Sequence, residues 1–452
     1  MTTTIFTARR TLASTLVLAL LLQSGGAAAF GLQQAYDAAL QNDPVYRSAV
    51  SENVAGQQFR VLGRSNLLPV LSGNYSTYKN QATITTTAPN RLPSKDSPDY
   101  NSSTTTLQLR QPLVNFDGLA RYRQGIAQTN YSDAVFSTRS QEVLLRVVGA
   151  YADAQYSDDQ LALVVAQRDA FGEQMRVNDR MFKMGEGTRT DVLETQAKFD
   201  LAEAQVLEAQ DSLMTARNTL AAIVGREITQ LDPLSENFRV TPMQPADFAE
   251  WEKTALENNP EIQSQTYAVE ASRQEINKSR AGHAPRVDLI ATLNRSNSDT
   301  INTLYQDSNV RSIGVQVTIP IYSGGSVNAA TSQAIANREK AKSDLDATTK
   351  KILVELRKQY SLSLSSSSRI DALVKSVASA RLLVEATRQS VKGGVRINLD
   401  VLNAQQQLFQ TQRDLAQARY NYLLSYLRLR GAAGTLGGDD LAKVASYFVA
   451  SR

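Results

Sequence analysis

The chain has 452 residues, with 48 Lys and Arg against 44 Asp and Glu, one His, one Trp and no Cys, and 42% of it is hydrophobic. That length supports several domains, while the missing cysteine excludes disulfide frameworks, thiolate metal sites, a cysteine nucleophile and a lipid-modified N-terminal cysteine. A lone His283 leaves little for histidine-dependent hydrolysis or zinc chemistry, so composition points away from an enzyme.

Residues 1–29 read as an export signal: Arg9 and Arg10, an apolar run over 12–22, then Ala27-Ala28-Ala29 as a small-residue cleavage site. Losing those two arginines takes the formal charge from +4 to +2 on a mature chain expected to start at Phe30. A balance so near zero predicts no nucleic-acid partner. Beyond the signal no stretch approaches the ~20 consecutive apolar residues of a membrane-spanning helix.

Two duplicated halves are expected, 30–240 and 241–452. Near the start of each, Ala39-Leu40-Gln41-Asn42-Asp43-Pro44 resembles Ala255-Leu256-Glu257-Asn258-Asn259-Pro260 at an offset of 216. A short helix there leads into a strand, with period two at Leu71, Gly73 and Tyr75 and, more clearly, at Val287, Leu289, Ala291 and Leu293. Polar segments at 79–103 and 295–311 read as surface loops. Second strands follow at Leu107 and Leu109, and at Ile313, Val315, Val317, Ile319 and Ile321. Strands of about ten residues suit a tilted bilayer crossing, and Tyr75, Tyr78, Tyr305 and Tyr322 flank them as candidates for an interfacial girdle.

Residues 113–232 and 321–452 hold no proline and are rich in Ala, Gln, Leu, Arg and Glu, which predicts long helices over 118–184 and 327–392. At 1.5 Å per residue each would reach roughly 100 Å. Turns at 184–189 and 392–396 lead to second helices with heptad stripes. Val192, Phe199, Val206, Leu213 and Leu220 repeat every seven residues beside Thr195, Ala202, Ala209, Ala216 and Ile223. Val401, Leu408, Leu415, Tyr422 and Leu429 do the same beside Ala404, Thr411, Ala418, Ser425 and Ala432, each member 209 residues on. His283, Trp251 and the serines of 363–368 read as packing or surface residues.

Four strands cannot close a barrel, and open edges in lipid leave backbone groups unpaired, so copies must share one barrel. Two copies would give eight strands and three would give twelve. Strand arithmetic permits either.

The chain strongly resembles the TolC family of outer-membrane efflux and secretion proteins. The likeness rests on the duplicated layout, the 39–44 helix opening, Ile319-Pro320-Ile321-Tyr322-Ser323-Gly324-Gly325, and Gly394-Val395-Arg396-Ile397-Asn398-Leu399-Asp400-Val401-Leu402. It implies a mainly α fold with a small β part: a homotrimer whose twelve-stranded outer-membrane barrel continues as a twelve-helix coiled-coil tunnel through the periplasm. A belt around the tunnel would come from 226–248 and 434–447. The implied activity is passive conduction without a cofactor, as the exit duct for a periplasmic adaptor and an inner-membrane transporter of ABC or RND type, with type I secretion favoured. The competing reading is a periplasmic coiled-coil scaffold or adaptor that never forms a pore.

The resemblance also assigns residues. Asp400 matches a lumen-facing position, so three copies would form a carboxylate ring that attracts cations. Asn403 stands where a second acidic ring often lies. Arg396 matches an arginine that ties the two helix pairs together through a partner corresponding to Asp191, and Val391 replaces the aromatic residue often found beside that latch. The turns themselves, Gly185, Glu186, Gly187, Thr188 and Arg189 with Gly393, Gly394 and Val395, are expected to dock an adaptor.

Overall fold

The computed structural model describes residues 30–87, 89, 92–235, 238–300 and 303–449, with 298–300 and 303–305 described by backbone alone. The export signal and the side chain of Tyr305 lie outside the described residues. The chain forms two compact units: Ser51–Phe136 with Pro260–Lys350, and Met1–Val50 with Ser137–Asn259 and Lys351–Arg452.

The first unit carries the sheet. Strands β1 (Val70–Gln81), β4 (Asp99–Val114), β5 (Arg286–Thr300) and β6 (Thr303–Thr318) are antiparallel in the order β1-β4-β5-β6. A small separate ladder pairs β2 (Ile84–Thr86) with β3 (Ser94–Asp96). Register sorts the side chains by chemistry, because alternate residues of a strand face opposite sides. Leu71, Leu109, Ala291 and Ile313 share one row, and Leu289 with Val315 and Val287 with Val317 continue the same face. Behind them, Ser72, Gln108, Thr292 and Ser312 form a row on the opposite face. Ile313 is 76% exposed in the single chain, and Val315 and Val317 are also exposed. From Val287 to Leu293 the apolar face spans about 20 Å, close to the ~25 Å apolar band of outer-membrane barrels. Tyr75 sits at its upper rim in the row of Thr105, Arg295 and Asn309. Tyr78 falls on the polar face, opposite Ser102.

Two expectations are corrected. The segments read as loops, 79–103 and 295–311, are largely strand. β5 and β6 run on until Thr300 pairs with Thr303, and β1 and β4 pair out to Gln81 and Asp99. Above the apolar band both faces are mainly Ser, Thr, Asn and Gln, with a few charged residues such as Lys79, Arg295 and Asp307, so the ladder continues with no period in hydropathy to reveal it. Each single short helix is also a pair, α1 (Leu32–Asn42) with α2 (Pro44–Ser65), and α5 (Phe248–Asn258) with α6 (Pro260–Arg280). Pro44 and Pro260 occupy the first helical position, where a missing N–H costs nothing, and they hold the preceding residue extended. Asp43 and Asn259 are indeed extended there.

The long helices are α3 (Phe116–Lys183) and α7 (Ser326–Lys392), within two residues of expectation. Their partners are α4 (Arg189–Val224) and α8 (Asn398–Ala432), and α9 (Gly438–Ala445) follows. α3 is capped by Asn115, whose Oδ1 accepts from Gly118 N at 3.0 Å. Among the described residues no helix is long and apolar enough to cross a membrane. Along α4 and α8 most of the stripe is buried, small members such as Thr195, Ala202, Ala404 and Thr411 and large ones such as Val206, Leu220, Val401 and Leu429 alike, whereas Val192, Phe199, Ala216, Leu408, Leu415 and Ala432 are half-buried.

In the second unit Leu32, Val147, Leu220, Val224, Leu427 and Leu441 belong to one core. The two belt candidates meet there: Ser235 N donates to Tyr447 O and Val449 N to Pro233 O, at 2.9 and 3.0 Å. Trp251 packs with Leu356 and Leu429 and donates Nε1 to Pro245 O at 2.8 Å, so it is a core residue.

Three core tyrosines are spent on bonds. Tyr151 Oη donates to Phe30 O, Tyr420 Oη to Asp159 Oδ2, and Tyr422 Oη to Thr241 O. Burial raises all three phenols, with Asp232, Asp159 and Tyr447 respectively adding to the effect, and Tyr422 is pushed up to about 12. An unfolded tyrosine ionises near pH 10, so above that pH the unfolded chain gives up protons that the folded chain keeps. Stability is then lost as pH climbs from about 10 toward 12. Melting curves from pH 9 to 11.5 are expected to show this fall, less steep in Tyr422→Phe.

Candidate functional site

Both hairpin turns are built the same way. α3 ends on Gly185 at φ +81° and α7 on Gly394 at φ +72°, conformations that glycine adopts without a Cβ penalty. Glu186 N donates to Met181 O and Val395 N to Ser390 O, each at 2.9 Å, closing equivalent Schellman turns. Gly185, Glu186, Thr188, Arg189, Gly393, Gly394 and Val395 are exposed and Gly187 is half-buried. Beside them Met184, Val395 and Ile397 present apolar side chains to solvent, Val395 at 82% exposure.

After the turns the halves diverge. Thr188 caps α4: its Oγ1 accepts from Asp191 N at 3.1 Å, while Asp191 Oδ2 accepts from Thr188 N at 3.2 Å and from Thr188 Oγ1 at 2.6 Å. This capping box occupies the Asp191 carboxylate. The position equivalent to Thr188 is Ile397, which offers no side-chain cap to α8. Asp400 therefore stands in the first turn of α8, favoured by the helix dipole, with no partner for its carboxylate among the described residues. Where the sequence reading ties Arg396 to Asp191, no such ion pair occurs within the chain: Arg396 is exposed and has no carboxylate partner among the described residues. Asn403 is exposed one turn beyond Asp400, and Val391 is half-buried.

What joins the hairpins in one chain is a buried amide cluster that sequence reading missed. Thr195 Oγ1, fully buried, accepts from Asn178 Nδ2 at 2.7 Å and from Asn398 Nδ2 at 3.4 Å, and donates to Asp191 O at 2.8 Å. Gln174 Nε2 donates to Asn178 Oδ1 and Asn398 Oδ1 at 3.1 and 2.8 Å. Four side chains from α3, α4 and α8 thus fix the start of α8, and with it Asp400, against the first hairpin. Further along, Lys198 Nζ donates to Gln406 Oε1 at 2.6 Å, and Phe171, Ala202 and Leu402 pack together. One signal was available: polar Thr195 stands in a heptad stripe otherwise apolar, a place where a buried hydroxyl needs partners.

The arrangement holds no nucleophile–base pair, and among the described residues no cluster of His, Asp and Glu could hold a metal ion.

The model of the outer membrane efflux protein family matches residues 35–226 and 251–435. The alkaline protease secretion protein AprF of Pseudomonas aeruginosa is 44% identical over 432 residues, covering 95% of this chain and 90% of that protein. The proteases secretion protein PrtF of Dickeya chrysanthemi is 36% identical over 436 residues, covering 96% and 94%. The outer membrane protein TolC of Escherichia coli is 28% identical, covering 91% and 83%. Among solved structures, the outer membrane protein VceC of Vibrio cholerae superposes with a TM-score of 0.76 at 20% identity, covering 89% of this chain and 96% of that one. The fold is TolC-like, mainly α with a small β part. The protein is no enzyme and no pore-less scaffold but an exit duct of the outer membrane reaching into the periplasm. The chain belongs to the outer membrane efflux protein family.

Proposed function

We propose that the chain is the exit duct of a type I secretion system, and that its cargo is a polypeptide. The observation that carries this is the 44% identity, across 95% of the chain, to a protein named for secreting an alkaline protease; the second relative is also named for proteases. Family members are homotrimers that act with periplasmic adaptors and inner-membrane transporters. In this reading three copies close a twelve-stranded barrel, an ABC transporter supplies the energy, and an adaptor docks on the exposed turns around Gly185 and Val395. Residues 30–240 and 241–452 are two copies of one repeat, consistent with the paired turns and paired proline corners. Deleting the gene in its host should abolish the extracellular polypeptide while tolerance to toxic small compounds stays unchanged. The reverse pattern, secretion intact and tolerance lost, would contradict it.

Asp400 is the gate residue of this reading. Three unpartnered carboxylates at a constriction concentrate cations, so Asp400→Asn should lower the cation-over-anion permeability ratio about fivefold at low salt, an effect screened away near 1 M. Asp191, bound into its own cap, should matter less. Reversal potentials in planar bilayers measure both, and equal ratios for Asp400→Asn and wild type would remove Asp400 from the gate. Asp191→Ala combined with Arg396→Ala should raise conductance if Arg396 latches neighbouring helices; unchanged conductance would dispose of that latch.

A further inference from the structure

The polar face of the sheet is almost uncharged. Along β1, β4, β5 and β6 its described side chains are Ser, Thr, Asn, Gln, Tyr and a few apolar residues, with three exceptions: Arg110, Arg286 and Asp288. All three lie at the helix-side end of the strands. Arg110 is the C-terminal charge of β4, while Arg286 and Asp288 open β5. Arg110 pairs in register with Ile290, so Asp288 is its diagonal neighbour on the same face.

Asp288 is fully buried, and both arginines hold it. Arg110 Nη2 donates to Oδ2 at 2.6 Å and Arg286 Nε donates to Oδ1 at 3.1 Å. One guanidinium would balance a buried carboxylate; the second leaves each chain with one net positive charge at this level. The guanidiniums are not themselves buried, since the arginine side chains remain 42% and 39% exposed. An arginine has five donors in a rigid fork. Asp288 takes Nε of Arg286 and Nη2 of Arg110; Arg110 Nε is buried and unpaired, and both Nη groups of Arg286 and Nη1 of Arg110 are left without an acceptor among the described residues. A buried carboxylate thus orients two half-exposed guanidiniums, and their unused donors match the geometry of a second carboxylate.

We infer that Arg110 and Arg286, oriented by Asp288, form a cationic station in the barrel that binds carboxylates of a polypeptide in transit. The inference rests on the reading above that copies share one barrel, with the apolar face toward lipid and the polar face inward. Three copies then place a collar of net charge +3 on an otherwise neutral wall, opposite in sign to the Asp400 ring. Asp288 is the positioning residue, and the two arginines make the contact. If they serve only to neutralise Asp288, transit is indifferent to them.

The full-length mature protein in planar bilayers tests this, with a deca-glutamate peptide and a deca-lysine peptide added in turn on the barrel side. At 0.05 M salt, where the screening length exceeds the ~10 Å of 0.1 M, deca-glutamate should block the wild-type current. Arg286→Gln, which keeps the Arg110–Asp288 pair, should weaken that block about tenfold, and Arg110→Gln should act in the same direction. Arg286→Lys should restore part of it, because charge returns without the fork. Deca-lysine should not discriminate between the proteins. Deca-glutamate block of equal strength in wild type, Arg286→Gln and Arg110→Gln overturns the station while leaving the duct standing. A wild type that forms no conducting pore overturns the shared barrel and the station with it.

Discussion

Gly434→Ala is expected to lose most of the assembled protein from the outer membrane, whereas Gly394→Ala, with nearly the same backbone conformation, is expected to lose little. Gly434 has φ +74° and Gly394 φ +72°, and an alanine in that region costs about 1 kcal/mol at either place. Their surroundings decide the rest. A Cβ on Gly394 meets nothing within 4 Å, whereas one on Gly434 would sit 2.4 Å from Asn258 O and 2.6 Å from Asn259 Cα. Those are backbone atoms at the α5–α6 corner. They cannot rotate aside, and Asn259 is tied to the same place through Nδ2 on Ala432 O at 2.9 Å. Relief requires moving the corner or the end of α8, so the total cost should reach about 3 to 4 kcal/mol. Gly225 repeats the arrangement in the first half: φ +80°, with Asn42 Cβ 2.6 Å away. There the blocking atoms belong to a side chain, so Gly225→Ala should fall between the other two. Heat-modifiable oligomer in membrane fractions and the melting midpoint of purified protein give the ranking. Equal losses for Gly434→Ala and Gly394→Ala would mean that the corner contact is not what the glycine serves.

Thr195→Val should open the gate. Valine has nearly the shape of threonine, so packing at this fully buried position is kept, but the hub of the amide cluster disappears. Asn178 Nδ2 and Asn398 Nδ2 lose their shared acceptor, and Asp191 O loses a donor. Leaving buried polar groups unmet costs about 1 to 3 kcal/mol each. Asn178 retains a long contact to Asp191 O at 3.3 Å, and the combined cost should be about 3 kcal/mol. The loss falls on the joint between α8 and the first hairpin, so the start of α8, carrying Asp400, is released before either hairpin melts. Single-channel conductance should rise and small-compound leak should increase. Thr195→Ser, which keeps the hydroxyl, should behave like wild type. A Thr195→Val channel with unchanged conductance and lowered stability would make the cluster a structural joint only.

Much of the fold was legible because its signals are periodic. Heptads in α4 and α8, proline-free runs for α3 and α7, and alternation along β6 each reflect one buried or lipid-facing side. The outer parts of the strands were not legible, since Thr104, Thr106, Asn294 and Ser308 continue a ladder whose two faces are equally polar. The proline corners were visible as a repeat but not as helix breaks, because a proline at a first helical position reads as a helix start. At the site, Asp191 and Asp400 stand at the same 209-residue offset as the heptad stripes, which makes them equivalents. Their difference depends on Thr188 against Ile397, a capping choice that becomes visible only with the hydrogen bonds in place. The amide cluster joins residues up to 224 apart in the chain, and no local pattern announces it. Arg110, Arg286 and Asp288 were hidden for the same reason: strand register, not spacing, brings them to one face.

The central claim is that copies of this chain share a barrel and conduct. Purified mature protein, added in detergent to a planar lipid bilayer, measures it directly. The account expects a heat-modifiable trimer that inserts and gives discrete current steps, with a cation preference at low salt that falls about fivefold in Asp400→Asn. A water-soluble monomer that is indifferent to detergent and lipid and passes no current would contradict it.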